Sequence, residues 1–264
     1  MNARLRPIVR IVMLTLFGAC VSFLSAQEID IQSDDDKPLE ERIVYGHQNT
    51  YHIAIHSQGF GGGFKIGKNK TIGQTRYWQV AAVSLHSLKE IKSISSASFA
   101  RSYVYGKNNS AFALRVGYGN EKRLYGKPYW GGVETRWTYE AGATLGWMKP
   151  YYYTVVVYKP DGAFGYVESQ DEQTFENHEQ WIAIEGRSSF IKGFNESKLS
   201  PGIHASTGLC FDFAKKSNLC QSINVDVIAE GYPMGLTIMD SQRNRWFFVS
   251  LMLSYHWGSR FNKY

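Results

Sequence analysis

A long alternation of unlike side chains constrains this chain more than any other feature. Val133, Thr135, Trp137, Tyr139, Ala141, Ala143, Leu145 and Trp147 occupy one parity. Glu134, Arg136, Thr138, Glu140, Gly142, Thr144, Gly146 and Met148 occupy the other. Period two is the geometry of a strand with two different faces, and this run far exceeds the five or six residues of an ordinary strand. Near the C-terminus Phe247, Val249, Leu251, Leu253, Tyr255 and Trp257 alternate with Phe248, Ser250, Met252, Ser254 and His256. Aromatics bracket both apolar stripes: Trp137 and Trp147 on one, Phe247 with Tyr255 and Trp257 on the other. Ten residues at about 3.3 Å rise, tilted by roughly 40–45°, climb about 24 Å. A lipid-facing barrel strand presents an apolar band about 25 Å tall between aromatic girdles. These five aromatics are expected to form such girdles. A soluble lipocalin-like barrel or sandwich does not need them.

Further strands are expected at 51–66, 75–85, 111–119, 151–158, 203–213 and 221–230, on the same alternation. In 75–85 the shared face carries Tyr77, Ala81, Val83 and Leu85. With 133–147 and 247–257 the count is eight, an even number as in single-chain bacterial barrels. The fold class is all-β: an antiparallel, up-and-down transmembrane barrel, with ten strands as the fallback. From a periplasmic N-terminus, 149–150 and 215–220 become periplasmic turns, and 121–130, 159–201 and 233–244 become outward loops. Segment 86–110 then falls on the periplasmic side, against the usual asymmetry of short inner turns and long outer loops. It is either a small plug or cap, or a missed strand pair around 99–105.

The N-terminus addresses the chain to export. Arg4, Arg6 and Arg10 precede an apolar run over 11–24, and Leu24-Ser25-Ala26 offers a cleavage point before Gln27. Fourteen residues of helix make about 21 Å, short of a bilayer core of roughly 30 Å. Residues 1–26 therefore read as a signal peptide; a lipoprotein signal ending at Cys20 is the alternative. No other stretch reaches the roughly 18 apolar residues of a membrane helix. The acidic stretch 27–50 reads as a solvated periplasmic tail, and 51–264 as the barrel. The formal charge of +6 falls to +3 once the three leader arginines are removed, which gives no reason to invoke nucleic acid. Three cysteines without CxxC spacing suggest neither zinc nor a disulfide scaffold. Neither a metal nor a cofactor is expected.

Charges gather on the face opposite the apolar stripes: Arg115, Glu134, Arg136, Glu140, Asp212, Asp226 and Glu230, with His204 on the same parity as Asp212. In an eight-stranded barrel that face fills a narrow interior. A self-satisfying network of paired charges is the expected arrangement; a proton or ion path would need a continuous wet lumen. His204 and Ser206 share a face, as a general base and a nucleophile would. A lipid A deacylase barrel is similar in using such a pair, yet here both point inward and Thr207 stands where that enzyme has Asn. Cys210 and Cys220 flank the turn at 215–218 out of register, which disfavours a bridge. Loop 159–201 mixes acids with Trp181, Phe190 and Phe194. It reads as a partner-docking element or as packing over the barrel mouth.

Several segments resemble small outer-membrane barrels of Bacteroidota. They are Ser57-Gln58-Gly59-Phe60-Gly61-Gly62-Gly63, Gly67-Lys68-Asn69-Lys70-Thr71, Tyr105-Gly106-Lys107-Asn108-Asn109 and Gly126-Lys127-Pro128-Tyr129-Trp130-Gly131-Gly132-Val133-Glu134. Tyr264, after an alternating last strand, is similar to the aromatic C-terminal signal read by barrel-assembly machinery. The resemblance is one of pattern and transfers no catalytic residue. It implies insertion in the outer membrane, and some similar barrels serve as accessory subunits of secretion or assembly machines. The expectation is a non-enzymatic barrel that contacts outer-membrane lipid and acts through its loops. Loop 159–201 and segment 86–110 are the candidate contact sites for protein partners. A lipid A-modifying enzyme and a narrow porin remain the alternatives.

Overall fold

The structure is a computed structural model that describes residues 45–71, 73–87, 89–95, 101–127, 132–161, 165–240 and 245–262. The leader 1–26, residues 27–44 of the expected tail and Tyr264 lie outside the described residues, and residues 47–50 are not tail but pair with other strands of the barrel, which therefore begins at His47 and not at 51. Eight strands close into one antiparallel barrel: β1 (His47–His56), β2 (Gly59–Thr71), β3 (Gln74–Leu85), β6 (Asn109–Tyr125), β7 (Glu134–Pro150), β11 (Lys198–Asp212), β12 (Leu219–Leu236) and β13 (Arg245–Phe261). Closure runs through β1, which pairs Tyr51 with Trp257 of β13 and with Phe64 of β2. A barrel leaves no edge strand, so its spanning backbone is hydrogen-bonded strand to strand, as a bilayer core requires.

The expected number of strands stands, although the segments differ. Stretch 51–66 is a hairpin, β1 and β2, turning at Ser57-Gln58. Stretch 151–158 is not a barrel strand. It forms β8 (Tyr152–Asp161), the centre of a separate sheet with β9 (Gly165–Thr174) and β10 (Ala183–Arg187). The two changes offset one another in the count but alter the ends at which the loops emerge. The long-loop end gathers the turn at 57–58 and the connections 86–108, 151–197 and 237–244. The opposite end holds both barrel termini and connections 72–73, 126–133 and 213–218. Residues 149–150 are thus not a turn: Pro150 ends β7 at the long-loop end. Residues 121–125 complete β6, and the connection that follows lies on the terminal end rather than with the outward loops. Segment 86–110 emerges at the same end as 151–197, whereas the sequence reading put the two at opposite ends. Its β4 (Lys92–Ser93) and β5 (Tyr103–Val104) pair only with each other and do not enlarge the barrel to ten strands.

The exterior carries an apolar belt. Ile53, Ile55, Val80, Leu114, Val116, Leu145, Ile203, Leu209, Val225, Val227, Leu251 and Leu253 are exposed. Toward the terminal end Tyr51 packs at a tilt against Phe64 and Trp257, Trp78 against Tyr118, and Trp137 against Tyr139. At the long-loop end Phe112, Trp147, Phe190 and Phe194 form a second aromatic group. Strand β3 inverts the expected polarity: Tyr77, Ala81, Val83 and Leu85 are buried inside, whereas Trp78 and Val80 face out.

The long-loop connections fold into one cap. Tyr151, Tyr153, Val155, Val157 and Phe175 bury against one another, with Tyr103, Trp181 and Ile184 packed around them. The Tyr153 hydroxyl donates to the Val104 carbonyl (2.6 Å) and accepts from the Lys107 amide (2.8 Å), stitching segment 86–108 to the sheet. Asn108 donates its amide to Ile238, and Asp240 donates to Gly106, which adds the 237–240 segment. Gly186 is required where β10 meets the chain at Arg101: a Cβ there would lie 2.7 Å from the Arg101 carbonyl oxygen. Tyr153→Phe is expected to weaken the cap by about 1–3 kcal/mol, because it strands two buried backbone groups. Limited proteolysis should then cut the cap faster while the heat-modifiable migration of the barrel stays unchanged; equal cutting would contradict this.

Candidate functional site: a charged interior beneath a folded cap

Strand alternation turns every second side chain into the barrel, and charged groups meet there in pairs. Near the terminal end Arg260 Nη2 binds Asp212 Oδ2 at 2.5 Å, with Lys127 at 3.5 Å from the same carboxylate. One layer inward Arg136 bridges Glu134 (2.8 Å) and Glu121 (3.4 Å), and Glu121 takes Lys65 at 2.8 Å. Lys65 also lies over the Tyr77 ring at 4.2 Å. At mid-barrel His204 Nε2 meets Glu140 Oε1 at 3.1 Å, and Thr138 donates to Asp226 at 3.0 Å. His52 and His256 stack with centroids 4.8 Å apart. Further up, Arg115 Nε binds Glu230 Oε1 at 2.6 Å. All eight polar positions singled out in the sequence therefore lie inside; seven pair with a charged or titratable partner, and Asp226 accepts from Thr138.

Small residues make room for these groups. A Cβ on Gly117 would lie 2.2 Å from Glu140 Oε1, and one on Gly208 would lie 2.3 Å from Asp226 Oδ1. Above the ionic layers the interior becomes apolar. Val83, Leu85, Val104, Ala111, Ala113, Tyr232, Leu236, Ile238, Met239 and Phe248 form a plug inside the long-loop mouth. Among the described residues the ionic layers line two small cavities of about 20 Å³ each. Such a cavity holds roughly one water. Paired charges below and a greasy stopper above leave these described cavities too small for a conduit.

The sequence did not single out Lys65, Glu121, Arg260, Lys127, His52 and His256 as members of the network. Glu121 lay beyond the assumed end of its strand, and Arg260 past the expected limit at 257. Lys65 shows its inward parity only once the 57–58 hairpin is recognised. Ser206 lines the mid-barrel cavity with His204, but the His204 ring engages Glu140. Cys210 and Cys220 are both free and buried. Trp137, Trp147, Phe247, Tyr255 and Trp257 all sit on outward-facing parities, and Trp137 donates its indole N–H to Thr207 at 2.9 Å. Among the described residues no group of three or more His, Cys, Asp and Glu is placed to hold a metal ion.

No family model matches the chain, and no curated protein matches it. Among solved structures it is similar to the neisserial surface protein A, NspA, at 11% identity, covering 81% of this chain and 96% of that one, with a TM-score of 0.38. It is also similar to Ail, the attachment invasion locus protein of Yersinia pestis, at 9% identity, covering 83% of this chain and 100% of that one, again at 0.38. The complex of Ail with the heparin analogue sucrose octasulfate matches at 10% identity, 81% and 97% coverage, and a TM-score of 0.39.

Proposed function

We propose that this protein is a non-enzymatic, integral outer-membrane barrel that acts as a docking subunit through its cap. The apolar belt, the aromatic groups at both ends and the closed backbone support a place in lipid. Loop asymmetry supports an outward-facing cap, since the long connections share one end and the short ones the other. The observation that carries the docking reading is the cap itself. Connections of this length are usually functional or unstructured, and these fold around a buried aromatic core and display Ile91, Ile94, Ile182 and Ile191 at its surface. A barrel whose interior is filled has its chemistry left to that surface.

Affinity purification from outer membranes in mild detergent tests this reading. The wild-type protein should recover a partner in fixed stoichiometry, and Ile91→Glu with Ile94→Glu should lose that partner while the barrel still inserts. Recovery of the barrel alone from both would overturn the docking role. In planar bilayers the same preparation should give no stable conductance steps; regular steps would favour a narrow porin. Lipid A of changed mass in cells that carry the protein, relative to cells that lack it, would favour an enzyme.

A further inference from the structure

A pocket of about 140 Å³ lies where the cap meets the barrel rim. His86, Lys107, Lys149 and Arg187 supply its charged and titratable lining, with hydroxyls from Ser110, Ser188, Tyr151 and Tyr152, and no carboxylate lines it. The nearby acids hold other members of the lining: Glu90 binds Lys107 at 2.8 Å, Glu172 binds Lys192 and the Ser188 hydroxyl, and Glu196 accepts from Tyr152 at 2.7 Å. That last contact holds the Tyr152 phenol up at about 12, and the phenol's one proton goes to Glu196.

Lys149 is the unusual member. It is 4% exposed, yet its ammonium meets no carboxylate among the described residues. Its hydrogen-bond partners are the carbonyl oxygens of Phe190 and Lys192, and the rings of Phe190 and Phe194 lie 4.3 and 5.2 Å away. An ammonium carries three donors, so one is left over. Arg187 reaches the same pocket, and its charge and that of Lys149 oppose each other there. Among the described residues neither Lys149 nor Arg187 has an ion pair, so two like charges converge on this pocket, and an anion between them would be favoured by both.

Position indicates what kind of anion it would be. Phe112 and Phe190 line the pocket and also belong to the aromatic group that includes Trp147 and Phe194. Phe112 and Trp147 face outward on β6 and β7, so the pocket opens onto the lipid-facing wall. Lys149 stands two residues beyond Trp147, roughly 5 Å further along the membrane normal, at the level of headgroups rather than acyl chains. We infer that this rim pocket binds the phosphate of a lipid in the adjoining leaflet, with Lys149 and Arg187 holding the anion and the aromatic shelf receiving an acyl chain. Phosphate suits a guanidinium beside a point-charge ammonium.

The test uses the full-length protein in nanodiscs, with Arg187→Gln as the variant, because Arg187 is exposed and its loss leaves the barrel intact. Native mass spectrometry should show one phosphorylated lipid A retained by the wild type. Arg187→Gln should weaken retention by about tenfold to a hundredfold, the range for losing a hydrogen bond to a charged group. The same lipid stripped of its phosphates should bind no better to the wild type than to the variant. Titration with inorganic phosphate separates the sources. Arg187-dependent binding of free phosphate without retention of the lipid would keep the anion site and overturn the lipid. Equal retention of phosphorylated and stripped lipid, or no effect of Arg187→Gln, would overturn the site. The choice of lipid rests on the outward-facing cap of the proposed function, but none of these readouts depends on its docking role.

Discussion

Glu230→Ala is expected to destabilise the barrel by about 3–5 kcal/mol. Glu230 is 1% exposed and accepts from Arg115 at 2.6 Å inside the barrel. Its removal leaves a buried guanidinium without the carboxylate it binds, and Arg115 Nη2 already lacks a hydrogen-bond partner. The loss measures the exposed penalty of an orphaned charge rather than the value of the pair. The double variant Arg115→Met with Glu230→Leu should therefore recover most of the stability, because neither charge then remains to be solvated. Urea titration of the barrel refolded into vesicles, followed by tryptophan fluorescence, reads both variants. A change below about 1 kcal/mol for Glu230→Ala would mean that water reaches this layer.

Leu251→Arg is expected to cost about 2–4 kcal/mol, and Trp257→Arg no more than about 1 kcal/mol. Both side chains point out of β13, but Leu251 lies midway between the aromatic groups, whereas Trp257 lies at one of them. Leu251 is 59% exposed, so no packing within the protein explains a penalty of that size. Only the hydrocarbon around it does. Similar small losses at both positions would indicate that the belt faces water.

The alternation that made β7 and β13 legible also shows where reading by pattern fails. Outward residues are odd on β1 (Tyr51, Ile53, Ile55) and even on β2 (Phe60, Phe64, Ile66), so the parity flips across Ser57-Gln58. That flip is the mark of the hairpin, and Gly59, Gly61, Gly62 and Gly63 hide it because they offer no side-chain contrast. Strand β8 failed differently. Tyr153, Val155 and Val157 alternate as a lipid-facing strand would, but their apolar face is buried in the cap. Period two reports two unlike faces and does not say whether lipid or protein covers the greasy one. Strand β3 is apolar on both sides, so its pattern alone cannot orient it. The interior charges were legible because an ionised group has few places to go in a membrane-spanning strand. Their pairings were not, because they depend on register between strands. The rim pocket was out of reach altogether: it joins β7, segment 86–108 and the cap, which only the topology brings to one end.

Oxygen accessibility of spin labels tests the inside-outside arrangement most directly. Single labels would be placed at each position from 249 to 254 of the membrane-inserted protein, with Cys210 and Cys220 changed to Ser. Positions 249, 251 and 253 should be strongly accessible to lipid-soluble oxygen and 250, 252 and 254 shielded, in strict alternation. Uniform accessibility, or alternation of the opposite phase, would contradict a barrel that turns its leucines to lipid and its histidines and serines inward.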